Sequence, residues 1–122
     1  MNIGVDLDDT ISELPEFFAI VSQALRRHGH KVYIVSYRSA ASFDESRREV
    51  AAWGIEHDGL FHPVDGERIG AFKSRIASEL DLDVFFDDMP EALAEMPPKV
   101  KRFWLCDPEF YDLQDVIRSL LP

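Results

Sequence analysis

Asn2-Ile3-Gly4-Val5-Asp6-Leu7-Asp8-Asp9-Thr10 decides how the rest of the chain is read. An apolar strand, Asn2 to Val5, runs straight into three aspartates and a threonine. Carboxylates held this close repel one another, and merely capping a turn would waste that electrostatic energy without a counter-charge. The same pattern of short apolar run followed by polar residues returns at Val32–Val35, Gly59–His62, Val84–Phe86 and Val100–Leu105. None of these runs alternates polar with apolar, so each reads as a strand buried on both faces.

Helical spacing fills the gaps. From about Ser12, Phe17, Ile20, Val21, Ala24 and Leu25 fall on one face, and Gly29 stops the helix. Ser42-Phe43-Asp44-Glu45 reads as a capping box opening a second helix through Val50 and Trp53, ended by Gly54. Ile69, Phe72, Ile76 and Leu80 mark a third, and Pro90–Glu95 a short fourth. Asp107-Pro108 reads as the start of a fifth, with Leu113, Val116, Ile117 and Leu120 on one face. Five βα units imply an α/β fold, a three-layer α/β/α arrangement around a five-stranded parallel sheet.

Composition bounds the function. The 122 residues fit one domain, 1–122, and nine Phe and two Trp can build a core. Thirteen Lys and Arg against 23 Asp and Glu give a net charge of −10, which opposes nonspecific nucleic-acid or anionic-membrane binding. A single cysteine, Cys106, excludes a disulfide framework and a Cys-based zinc cluster. No apolar run is long enough to span a bilayer, and the N-terminus lacks a signal-peptide pattern. The expectation is a soluble cytoplasmic domain.

Parallel α/β sheets carry their chemistry beyond the carboxyl ends of the strands. After the first strand come Asp6, Asp8, Asp9 and Thr10; after the second, Ser36, Tyr37 and Arg38; after the fourth, Asp87 and Asp88. Lys73 lies on the helix before the fourth. Two carboxylate groups from distant parts of the chain would meet at one point, where Mg²⁺ with oxygen ligands supplies the counter-charge and leaves room for phosphate oxygens. One carboxylate there can attack phosphorus, and a second can serve as acid and then base.

These motifs resemble the haloacid dehalogenase (HAD) superfamily over essentially the whole chain. Asp6-Leu7-Asp8-Asp9-Thr10 is similar to its first motif, Ser36 to its second, Lys73 to its third, and Asp87-Asp88 to its fourth in double-aspartate form. The resemblance implies a Rossmann-like HAD core and a Mg²⁺-dependent phosphohydrolase working through an aspartyl phosphate. Asp6 would be nucleophile and metal ligand. Asp8 would be the acid/base and would give its backbone carbonyl to the metal. Thr10 and Ser36 would orient the phosphoryl group, with Asp9, Tyr37 and Arg38 lining the phosphate site. Lys73 would pair with Asp6 and the phosphate. Asp88 would be the direct metal ligand of the last pair, with Asp87 ligating through water or holding Lys73. About 25 residues between Thr10 and Ser36, and about 36 between Ser36 and Lys73, leave no room for a cap domain. The site would be open to a large substrate or to cover by a partner subunit in an oligomer. Ser36-Tyr37-Arg38, Arg48 to Gly54, Phe86-Asp87-Asp88 and Arg102-Phe103-Trp104 are also similar to the 3′-phosphatase domain of phage-type polynucleotide kinases and to small deoxyribonucleotidases. That points to a nucleotide or polynucleotide phosphate as substrate.

Plainer readings stand beside these. Asp88 could cap the helix at Pro90, Lys73 could be a solvated helix lysine, and Arg38 could pair with Asp44 rather than with substrate. The four histidines show no metal-ligand spacing. A signalling receiver domain has the right length, but its hydroxyl and lysine would follow the acceptor aspartate, whereas Ser36 and Lys73 precede Asp87. A non-catalytic phosphate-binding or regulatory module on the same fold is the alternative to an enzyme.

Overall fold

The structure, a computed structural model, describes residues 1–121. Five strands form one sheet: β1 (Asn2–Val5), β2 (Lys31–Val35), β3 (Gly59–Phe61), β4 (Val84–Asp87) and β5 (Lys101–Trp104). Their order is β3-β2-β1-β4-β5, and every pairing is parallel. The helices are α1 (Pro15–Arg27), α2 (Phe43–Ala52), α3 (Ile69–Glu79), α4 (Pro90–Ala94) and α5 (Leu113–Leu120). The α/β class and the five-stranded parallel sheet are as expected, and among the described residues no helix or strand lies between β3 and α3.

The chain winds outward from β1 through β2 to β3, crosses back to β4 on the other side of β1, and continues to β5. That reversal makes the carboxyl ends of β1 and β4 the topological switch point, where ligands bind in such sheets. The core divides accordingly. Ile3, Val5, Val32 and Ile34 pack with Phe18 of α1 and Val50 of α2. Val35 and Phe85 pack with Phe72, Ile76 and Ala77 of α3 and Leu93 of α4. Each fully buried apolar side chain of this size contributes about 1.5–3 kcal/mol. Gly4 lets the second cluster close, because a Cβ there would lie 2.6 Å from the Phe85 ring and 2.7 Å from Leu82.

The periodicity misplaces part of one helix face: Leu25 packs against the core and Val21 is half-buried, but the remaining positions are not. In α1 the buried side chains are Phe18 and Ser22, whereas Phe17 is 52% and Ile20 62% exposed and Ala24 is also exposed. Adjacent phenylalanines offer two registers, and the true one runs through a polar residue. Ser22 can be buried because its hydroxyl donates to Ala19 O (3.1 Å) and accepts from the Glu56 amide (3.3 Å). The helix also starts at Pro15 rather than near Ser12, since residues Leu7–Ile11 form a wide turn first.

Three expected caps differ. Ser42 precedes α2 but makes no cap hydrogen bond; it ends a 3₁₀ turn over Ala40–Ser42, and its ψ of 7° is not extended. Its Oγ pairs with Ser39 Oγ at 3.2 Å instead. Asp88 does not cap α4, whose N-cap position is Met89. Asp107-Pro108 does not start α5. Asp107 O closes a turn with the Phe110 and Tyr111 amides, and the helix begins at Leu113 with Asp112 accepting from the Gln114 (2.8 Å) and Asp115 (3.3 Å) amides. No residue of α5 is buried, and Leu113, Ile117 and Leu120 are exposed.

Candidate active site

The turn after β1 places the first aspartates. Ile11 N–H reaches Asp6 O (3.4 Å) and Ser12 N–H reaches Leu7 O (3.0 Å), both across five residues. Inside this turn Asp8 is extended and Asp9 takes a left-handed φ of 59°, a conformation that aspartate tolerates better than most residues. Asp6 is buried, and its amide donates to Phe86 O at 2.9 Å, locking the ends of β1 and β4 together.

Lys73 comes from the inner face of α3 and is 1% exposed, so it is no solvated helix lysine. Its Nζ donates to Asp6 Oδ1 (2.7 Å) and to Asp87 Oδ2 (2.5 Å). Thr10 Oγ1 lies 3.1 Å from Asp6 Oδ2 and 3.3 Å from Asp88 Oδ1, sharing its proton between them. Asp87 also accepts the Met89 amide at 2.9 Å. Trp104 Nε1 holds Asp88 O at 3.0 Å. Free of capping, Asp88 completes a group of three carboxylates with Asp6 and Asp87, each offering one oxygen within 4.8 Å of the others. This group could hold a metal ion.

The electrostatics favour a cation. Burial pushes Asp6 up to about 6 even though Lys73 pulls it down. Burial raises Asp87, with the Asp6 charge adding to it, and burial raises Asp88 as well. Burial alone would depress the Lys73 ammonium, but Asp6 and Asp87 on either side outweigh it and leave it raised. Three carboxylates against one ammonium leave two negative charges uncompensated. A divalent ion matches that deficit, and an all-oxygen donor set suits a hard ion such as Mg²⁺.

Arg38 stands beside this centre, whereas Ser36, at the end of β2, does not line the pocket. Ser36 is fully buried, and its Oγ accepts the Arg38 amide at 3.2 Å. The Arg38 guanidinium grips both oxygens of Asp8, Nε at 3.0 Å and Nη2 at 2.8 Å. It does not meet Asp44, which pairs with Arg47 at 3.4 Å. Tyr37 OH donates to Glu67 O at 2.5 Å, which fixes the ring at the rim. Asp6, Asp8, Asp9, Tyr37, Arg38, Lys73 and Asp88 all line one open pocket of about 220 Å³, with Ile69 and Met89. The Asp8 carboxylate is held in the Arg38 fork rather than among the buried carboxylates. Ser46 and Glu49 of α2, which reach Arg38, went unread in the sequence. Their three-residue spacing on one helix face was the available signal.

No family model matches the sequence, and no curated protein does. Solved structures do. Two chains of the Pnkp1/Rnl/Hen1 RNA repair complex superpose with TM-scores of 0.72 and 0.70 at 18% and 19% identity, each over 85% of this chain. The chain spans 42% and 45% of their lengths, under half in both cases. A universal stress protein from Archaeoglobus fulgidus matches at a TM-score of 0.53 and 16% identity, over 84% of this chain and 97% of that one. At these identities the likeness is one of fold. Among the described residues, no helix is long and apolar enough to cross a membrane.

Proposed function

We propose that residues 1–122 form a single HAD-like hydrolase domain, a Mg²⁺-dependent phosphatase that cleaves a phosphomonoester through an aspartyl phosphate. The observation that carries this reading is the convergence of Asp6, Thr10, Lys73, Asp87 and Asp88 at the carboxyl ends of β1 and β4. Mg²⁺ held by Asp6, Asp88, the Asp8 carbonyl and the charge of Asp87 would neutralise phosphoryl oxygens.

The chain's own groups account for the remaining steps. Lys73 on Oδ1 and Thr10 on Oδ2 fix the plane of the Asp6 carboxylate. An Asp6 oxygen attacks phosphorus while the bond to the leaving oxygen breaks, and Asp8 gives that oxygen its proton. Asp8 then takes a proton from water as the water attacks the acyl phosphate, which frees phosphate and restores Asp6. Lys73, Ser36 and the amides after Asp6 stabilise the charge in transfer. Asp9, Tyr37 and Arg38 line the phosphate site.

The open pocket admits a phosphate carried on a large molecule. The sequence resemblance to polynucleotide 3′-phosphatases, supported by a fold shared with chains of an RNA repair complex, makes a nucleotide or polynucleotide 3′-phosphate the first substrate to try. The test is phosphate release from nucleotides, sugar phosphates, a phosphopeptide and a 3′-phosphorylated oligonucleotide, each with Mg²⁺, with chelator and with Asp6→Asn. Metal-dependent release lost in the mutant is the expected result. Release that survives in Asp6→Asn would overturn the mechanism, and silence with Mg²⁺ still bound would favour a regulatory phosphate-binding module.

A further inference from the structure

We propose that Glu49 is a positioning residue for Asp8, acting through Arg38. The inference rests on reading Asp8 as the proton donor. Asp8 sits on the turn after β1 with its side chain 55% exposed, so nothing in its own packing fixes its aim. Its two oxygens are instead taken by Arg38 Nε and Nη2. A bidentate guanidinium–carboxylate pair fixes the plane of the carboxylate as well as its distance.

Arg38 is itself held from behind. Its side chain is 18% exposed, Nη1 donates to Ser46 Oγ at 3.1 Å, and Nη2 lies 2.7 Å from Glu49 Oε2. Ser46 and Glu49 are three residues apart on α2, with Ser46 fully buried. Glu49 does not line the pocket, so it touches no substrate there. The line Glu49–Arg38–Asp8 thus ties an exposed carboxylate to a helix anchored in the core through Val50. The guanidinium favours the ionised form of Asp8, so the fork keeps the carboxylate aimed between proton transfers, and loss of aim costs rate without costing affinity.

The experiment uses the full chain with Mg²⁺ and two phosphate esters, an aryl ester with a good leaving group and an alkyl ester with a poor one. Only the poor leaving group depends strongly on a proton donor. For Glu49→Ala, kcat on the alkyl ester should fall about tenfold or more, against about threefold or less on the aryl ester, with KM little changed. Glu49→Asp, which keeps the charge that faces Arg38, should recover part of the loss. In an Asp8→Asn background, Glu49→Ala should add little. Equal losses on both esters, a rise in KM alone, or full additivity with Asp8→Asn would overturn the proposal. A wild type silent on both esters would sink the hydrolase reading, and proton delivery with it. A urea-unfolding cycle on Asp8→Asn and Glu49→Ala tells the two failures apart. Non-additive midpoints show the clamp whether or not any ester is turned over, and additive midpoints overturn the clamp itself.

Discussion

Lys73 Nζ lies 2.7 Å from Asp6 Oδ1, although 67 residues separate them along the chain. The same ammonium bonds Asp87, so one buried cation ties the ends of β1 and β4 to α3. Removing it leaves two buried carboxylates without their shared partner. Lys73→Met should cost about 3–5 kcal/mol of stability in chelator, measured by urea unfolding. Mg²⁺ should recover part of that loss, because it supplies positive charge to the same carboxylates.

Asp6→Asn should keep the fold and lose the reaction. The amide is close in shape, and Thr10 and Lys73 remain beside it. Turnover should drop by a factor of about 10³ or more, while the circular-dichroism melt shows an intact cooperative transition. Near-normal turnover would exclude Asp6 as nucleophile.

Asp88→Asn should weaken Mg²⁺ binding about tenfold or more by calorimetry, through loss of a charged oxygen ligand. Asp87→Asn should weaken it too, and should also destabilise the metal-free protein because Lys73 loses a partner. Unchanged affinity in both variants would exclude the carboxylate group as the metal site.

Asp58 gives a pH signature remote from the site. Burial pushes its carboxyl up, but the Val32 amide at 2.9 Å, with Arg26 and Lys31, outweighs burial and holds it below the ordinary 3.8. A depressed folded pKa means stability that is present above about pH 3.8 and lost as pH falls through the lower folded value. Asp58→Ala should therefore cost about 1–2 kcal/mol at neutral pH, with the gap to wild type closing in acid. A gap that stays constant below pH 3.8 would contradict the assignment.

The register of α1 can be checked with two neighbours. Phe18→Ala removes a core side chain that packs edge-on against Phe86 at 5.9 Å and should cost about 3–5 kcal/mol. Phe17→Ser removes an exposed ring that touches Phe18 only from outside and should cost about 1 kcal/mol or less. Comparable losses would restore the face that includes Phe17.

Some of this was legible in the sequence and some was not, for physical reasons. The inner strands were, because burial on both faces demands uninterrupted apolar runs such as Val32–Val35; β5 was read the same way, yet Lys101, Arg102 and Phe103 are exposed at the sheet edge. Gly29 was, because its φ of 84° ends α1 at little cost. The convergence of Asp6, Lys73 and Asp87 followed from topology, since parallel strands put their carboxyl ends on one edge. The buried face of α1 did not, because Ser22 earns its place through hydrogen bonds that periodicity cannot count. Glu49 did not either: its spacing from Ser46 puts both on one face of α2, but nothing in that spacing names the arginine they meet across a change of element.

The central position of β1 also bears on how the chain is made. Its residues leave the ribosome before those of the other strands, yet one of its flanks waits for β4, and the Asp6 amide waits for Phe86. At roughly 5–20 residues per second, that delay is on the order of 4–16 s. During it only the β1–β2–β3 half can assemble, with Asp6 at an open edge and Lys73 and Asp87 still to come. The emerging chain therefore has a defined half-built stage. The strand that carries the charge cluster belongs to both halves, so closing the second half and building the cluster are one event.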